Sequence, residues 1–587
     1  MVAAETTRRD KPHKPLVRWW PALAITLLFC ATASLFLSYP GIQNDEALFA
    51  DPLYRPDAAI YRIGIFGHSL PLMHLTYLGT LKTWLYAPIL ALWQPGWASL
   101  RIPAVVLGAV TVALFCWLLH AAHGARAACT GGLLLATDTL FVLTTSFDWG
   151  PVVLQHLLLV AGLVALVQFH RTGKLAALAL GWFCFGLGMW DKALFAWTLG
   201  GVAVAGGFVF HRELWKRLTW RNAAVTGTAF CLGALPLIAY NLNANLATAR
   251  GNASFTSQYF GAKWEMLRDT WAGTGLFGYL VNHDTADRPR APSGALETAA
   301  FGVRRVFGEH GTNRLEAAAI MALLLLPLLW FTPARRTLMF ALLAFVVAWL
   351  QMALTQNAGL AAHHTVLLWP LAYLFLGVAF AEASLHVGRA GRWLLGAGVV
   401  YLVAFNLLLT NQYFYQIARD GPAGSWTDAM FALSDRVEGR PLLVTDWGIL
   451  NPLEVLHQGR LNLRWAGDVD AALFADREAL WVDHTDGNEQ FAGRNKLWAD
   501  AAEAAGYRKV VVETVADRNG RTIFELFRWV GGAAPLGRAE PPGSAVGGAV
   551  IPEPSRPGGR LRGRGPAPQP TMISWSHLRL SRRARVC

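Results

Sequence analysis

Asn44, Asp45 and Glu46 stand just beyond the first apolar run of this 587-residue chain. Two adjacent carboxylates in a loop flanked by apolar residues can divide labour: one takes a proton from an acceptor hydroxyl, the other is oriented toward a metal, a backbone amide or the substrate. On spacing alone, a solvated surface turn is the commoner setting for such a pair. Asp148 lies in the short stretch Ser146 to Pro151, between two further apolar runs, where an acidic side chain is costly unless hydrated or paired. Capping of the helix that begins near Pro151 is its structural alternative. Asp191 and Lys192 separate another two runs. A phosphate would supply the counter-charge that Lys192 otherwise lacks, and an ion pair with Asp191 or snorkelling would be the structural alternative. His363 and His364 are adjacent, so they do not share a helix face as a metal pair does; a single hydrogen bond to substrate is the functional reading.

The elements that must position these residues are membrane helices. Only 15% of the residues are charged and 54% are hydrophobic, against about 25% charged in a soluble domain. The run Trp19 to Ser38 follows Arg8, Arg9, Lys11, Lys14 and Arg18 and reads as an uncleaved signal anchor. Ten further segments are apolar enough to span, near 102–120, 128–146, 149–169, 175–190, 193–210, 223–240, 316–333, 338–354, 365–383 and 393–410. Orientation follows from the short loops. The five amino-terminal cations, Arg126, Arg171 and Lys174, the group Arg212, Lys216, Arg217 and Arg221, Arg335 and Arg336, and Arg389 and Arg392 fall on one side, and only Lys192 on the other. The basic side is cytoplasmic. Counting Trp84 to Trp93 as a span would invert every later loop, so it reads as an interfacial helix.

The expected architecture is a polytopic α-helical membrane protein of about eleven spans. It comprises a cytoplasmic amino terminus (1–18), a membrane module (19–411) with outer loops 40–100 and 241–315, an extracytoplasmic α/β domain (412–530) and a disordered Gly/Pro/Arg-rich tail (531–587). Phe260 to Val281 and Ala295 to Phe307 suit amphipathic helices on the bilayer surface. The formal charge of +13 is not a nucleic-acid footprint, because the tail alone, with nine Arg and two Glu, contributes +7 and no basic face carries interleaved aromatics. The six cysteines form neither a disulfide framework nor a CxxC metal motif.

Five features recur in order: the acidic pair; Trp97 to Pro103, with Arg101; Leu134 to Thr137; Asp148; and Gly186, Leu187, Gly188 followed by Lys192. Together they resemble glycosyltransferase family 39 of the GT-C membrane transferases, which includes protein O-mannosyltransferases and bacterial lipid A aminoarabinose transferases. The resemblance covers about residues 17 to 410. It implies an enzyme of the inner membrane that transfers a hexose or pentose, with inversion, from a polyprenyl monophosphate carrier to an acceptor on the outer face. Asp45 would be the general base and Glu46 would orient the site. Lys192, helped by Arg62 or Arg101, would hold the phosphate, and Asp148 would bind a sugar hydroxyl or a metal. The resemblance leaves a divalent metal open, with Asp45 and Asp148 as candidate ligands, and does not choose among lipid, polysaccharide and protein acceptors. A transporter or a non-catalytic envelope scaffold would share the spans. The first should show inverted repeats and mid-membrane coupling groups, which the sequence lacks; the second would have no need of Asp45, Glu46 and Lys192.

Overall fold

The computed structural model describes residues 15–281, 289–356, 358–437, 439–476 and 479–531. The tail read as disordered lies outside the described residues beyond Gly531, as do the first fourteen residues. Helices occupy all eleven apolar segments expected to span. Five are long and apolar enough to cross a bilayer unaided: Trp97–Thr137, Val152–Thr172, Arg335–Leu354, Ala362–His386 and Gly388–Asp420. Trp220–Gly233 and Leu235–Asn243 make a sixth if they count as one span, bent by 71°; Pro236 sits in the first turn beyond the bend, where its missing N–H is tolerated. The other expected spans correspond to apolar helices of ten to seventeen residues, such as Leu175–Asp191 and Phe195–Val209.

Two of the expected spans run together as Trp97–Thr137, but Gly124, at φ 81°, breaks the helix between them. The arms fold back on each other closely enough that a Cβ on Gly132 would lie 2.4 Å from Cys116 Sγ. Small residues permit this approach where lipid supplies no hydrophobic drive between helices. A carboxylate inside this bundle must be fully satisfied, and Asp138 is: it accepts hydrogen bonds from Phe141 N (2.7 Å), Trp369 Nε1 (2.9 Å) and Tyr373 Oη (2.7 Å).

The first loop carries an antiparallel sheet of β1 (Tyr61–Ile65), β2 (His68–Leu75) and β3 (Leu78–Gly79), followed by the short helix Leu81–Leu92. No strands were expected in this loop. Residues 429–531 alternate helix and strand, but the last long helix continues to Asp420, past the expected start of the unit at residue 412. Their sheet has the order β5-β4-β6-β8-β7, from β4 (Leu442–Val444), β5 (Leu463–Trp465), β6 (Leu480–His484), β7 (Tyr507–Ala516) and β8 (Thr522–Gly531). β5, β4 and β6 are parallel, and β8 turns antiparallel to β6. Successive strand residues point to opposite faces, and both faces are covered. Leu442, Val444, Leu480 and Val482 pack with Leu433 and Leu453, whereas Leu443, Trp481 and Phe527 pack with Phe474 and Trp498.

Candidate functional site

A single turn of helix, Asn44–Ala47, separates the two acids. Gln43 caps it, its side-chain oxygen accepting from Asp45 N (2.5 Å) while its own N–H donates to Glu46 Oε2 (2.9 Å). Consecutive helical residues diverge by about 100°, so Asp45 and Glu46 face different surroundings. Glu46 is fully buried against Arg101, which donates from Nε to Oε1 (2.6 Å) and from Nη2 to Oε2 (2.8 Å). The remaining guanidinium hydrogens go to the carbonyls of Leu37 (2.6 Å), Pro40 (3.0 Å) and Gly41 (2.7 Å). All five donors of Arg101 are thereby spent within the chain, leaving none for the phosphate that the sequence reading assigned to it.

That geometry sets the cost of losing Arg101. Removing it strands a buried carboxylate, so Arg101→Met is expected to lower stability by about 3–5 kcal/mol. Adding Glu46→Gln should recover part of the loss, since no buried charge then lacks a partner. Thermal unfolding of the detergent-solubilised variants measures both.

Asp45 is half-buried rather than sealed. Burial lifts its carboxyl above the usual carboxylate value; the Lys192 charge, the Trp149 indole and then Lys82 pull the other way. Lys192 caps the helix Leu175–Asp191 and is held by backbone pairing, Leu78 bridging it and Ala193 N donating to Tyr77 O (2.9 Å). The residue is 6% exposed, yet its ammonium makes no hydrogen bond or ion pair among the described residues. Burial pushes it down to about 8, with Asp45 and then Asp191 opposing. Asp191 is turned elsewhere, accepting from Gln155 Nε2 (2.9 Å).

Rings wall the space around Asp45. Trp149 stacks with Tyr279 (5.2 Å between centroids) and His363 (5.5 Å), and Trp426 meets it edge-on (4.9 Å). His364 lies against His363 and accepts from Gly359 N through Nδ1 (3.2 Å).

Two of the expected site residues are engaged elsewhere. Asp148, in a left-handed turn at φ 46°, pairs with Lys82 (2.6 Å) and accepts from Tyr86 Oη, with burial holding its carboxyl up at about 6. Lys82 also donates to Gly150 O (2.7 Å). Lys82 and Tyr86 were not expected site residues: the helix there was expected to start only at Trp84, whereas it begins at Leu81 and takes in Lys82, a lone lysine in a twelve-residue apolar helix. Arg62 pins the β1–β2 hairpin, donating to Ser69 Oγ (2.8 Å), Ser69 O (2.6 Å) and Pro56 O (3.1 Å).

Among the described residues, one group places three metal-ligand atoms together, and it lies elsewhere: Asp446, Asp483 and His484, within 4.8 Å of one another. Asp446 there already accepts from Trp447 N, Phe491 N, Gln490 N and His484 Nδ1. Four donors fill its lone pairs, so the cluster ties loops together rather than presenting open ligands. Asp45 and Asp148 do not join such a group.

A scan against protein-family models found no match, and neither did a search of curated proteins. Among solved structures, ArnT from Cupriavidus metallidurans in the apo state is similar at TM-score 0.54 and 15% identity, over 87% of this chain and 98% of that one. The same protein bound to undecaprenyl phosphate gives 0.53 over the same shares at 15% identity. An oligosaccharyltransferase from Archaeoglobus fulgidus gives 0.47 at 12% identity, over 87% of this chain and 75% of that one. The chain therefore has the fold of ArnT, and Asp45 and Lys192 are electrostatic neighbours within it.

Proposed function

We propose that this chain is a glycosyltransferase that moves a sugar from a polyprenyl-phosphate-linked donor to an acceptor hydroxyl at the outer face of the membrane, with inversion. The observation that carries the reading is Lys192: a buried lysine with no hydrogen bond or ion pair from its side chain among the described residues, beside a half-buried carboxylate, in a fold whose solved example ArnT was captured with undecaprenyl phosphate. A charge held at that depth calls for an anionic partner, and a lipid phosphate is one that reaches it from the bilayer.

In this reading the acceptor hydroxyl sits between Asp45 and the anomeric carbon. Asp45 takes its proton as the new bond forms, and the glycosidic bond to the carrier breaks on the opposite face. Lys192 stabilises the charge that grows on the departing phosphate. Glu46 and Arg101 act as positioning residues, fixing the turn that aims Asp45. His363 and Trp149 border the sugar, and Asp148 and Lys82 neutralise each other behind it. A divalent metal would have Asp45 as its ligand in this space. The coupled test is to purify the full chain in native lipid and identify, by mass spectrometry, the lipid that accompanies it. A polyprenyl phosphate sugar that turns over on addition of acceptor lipids supports the proposal; its absence, with no binding of undecaprenyl phosphate, sinks it.

The same proposal places eleven spans across the membrane with the acids and the α/β unit outside. Reporter fusions after Arg217 and after Thr410 should give a cytoplasmic and an external signal respectively, and a cytoplasmic signal from the second would overturn the sidedness.

A further inference from the structure

We infer that the segment 421–428, which joins the last long helix to the α/β unit, is a wall of the transfer site, and that Arg518 on the β7–β8 turn is the positioning residue that keeps it there. The inference rests on the proposed transfer reaction for its activity arm only.

The segment touches three of the loops that build the site. Trp426, fully buried, packs against Trp149 and Phe147 (5.2 Å between centroids). Ala423 N donates to Leu280 O (2.9 Å), next to the Tyr279 that stacks on Trp149. Gly41 N donates to Trp426 O (2.9 Å), and the two backbones are so close that a Cβ on Gly41 would lie 2.0 Å from Thr427 O. Gly41 in turn offers its carbonyl to Arg101 Nη2, the nitrogen that also holds Glu46 Oε2. A shift of Thr427 therefore reaches the acid pair through Gly41 and Arg101.

The far side of the segment is gripped by the turn between β7 and β8. Arg518 donates from Nε to Asp428 Oδ2 and from Nη2 to Tyr39 O (2.5 Å), its guanidinium 5.1 Å from the Tyr39 ring centroid. Asn519 Nδ2 donates to Arg419 O (2.8 Å), and Arg521 Nη2 to Pro422 O (3.3 Å). Arg518 thus clasps the turn that follows the first membrane helix and the segment at once, from an exposed turn outside the site. The pair is partly sheltered, the Asp428 side chain being 8% exposed, so losing it costs some stability; a merely structural Arg518 would stop there and leave both turnover and the acid loop unmoved.

The test compares full-length wild type, Arg518→Ala and Arg518→Lys in nanodiscs. Three quantities are read: transfer rate, affinity for undecaprenyl phosphate, and amide hydrogen exchange over residues 39–48. The inference expects Arg518→Ala to lower kcat about tenfold with phosphate affinity within twofold, to speed exchange over 39–48, and to be rescued in part by lysine. Unchanged exchange over 39–48 in Arg518→Ala overturns it, whatever the rate does. Should Arg518→Ala fail to fold, Asp428→Asn, which loosens the same clasp, is read against the same criteria. A wild type that transfers no sugar defeats the parent reading, while the exchange arm still decides this one.

Discussion

Asp45→Asn is expected to abolish transfer, turnover falling on the order of 100-fold or more while the protein inserts and binds undecaprenyl phosphate as before. The substitution keeps size and shape and removes only proton affinity. Its specificity comes from the geometry around the pair. Glu46 cannot substitute as base, because Arg101 and the Gln43 N–H engage both of its oxygens. Asp148 is held by Lys82 and Tyr86. Asp45 is the half-buried member of the set, and burial holds its carboxyl above the ordinary range, which makes it a stronger base than a surface aspartate. Single-turnover measurement with a lipid-linked donor reads the loss directly. Near-normal turnover in Asp45→Asn would remove it as the base.

Lys192→Met should weaken binding of undecaprenyl phosphate and slow transfer, each by about 10- to 100-fold, the effect of losing a charge-assisted contact of about 1.5–3 kcal/mol. The double variant Asp191→Asn, Lys192→Met separates a phosphate clamp from an internal ion pair. An internal pair would make the double variant recover. The structure has Asp191 bonded to Gln155, with no ion pair to Lys192 among the described residues, so no recovery is expected. The pH profile supplies a second signature. Activity needs Asp45 ionised and Lys192 charged, so the rate should rise with pH through the elevated Asp45 value and fall again near pH 8, where Lys192 discharges. Lys192→Arg should move the falling limb upward, because a guanidinium stays charged. A falling limb unmoved by Lys192→Arg, together with recovery in the double variant, would leave Lys192 without a phosphate role.

The chain itself determined that apolar helices form and which segments form them. A composition with few charges leaves long apolar runs no other solvent, and a loop bias that isolates Lys192 marks it as a residue needing an anion. The α/β alternation after the last span was equally legible, because short β-rich runs between helical ones are a local pattern. What the sequence could not decide was which charges neutralise each other. Arg101 stands 55 residues from Glu46, and Lys82 stands 66 from Asp148. Nothing in spacing distinguishes a cation that holds substrate from one that holds a neighbouring acid. Only the tertiary packing did so, turning Arg101 and Lys82 inward onto Glu46 and Asp148 and leaving the ammonium of Lys192 without an ion pair among the described residues, beside Asp45. The physical reason is that a buried charge takes its partner from whatever the fold brings within about 4 Å, and that distance is set by helix packing rather than by the order of residues along the chain.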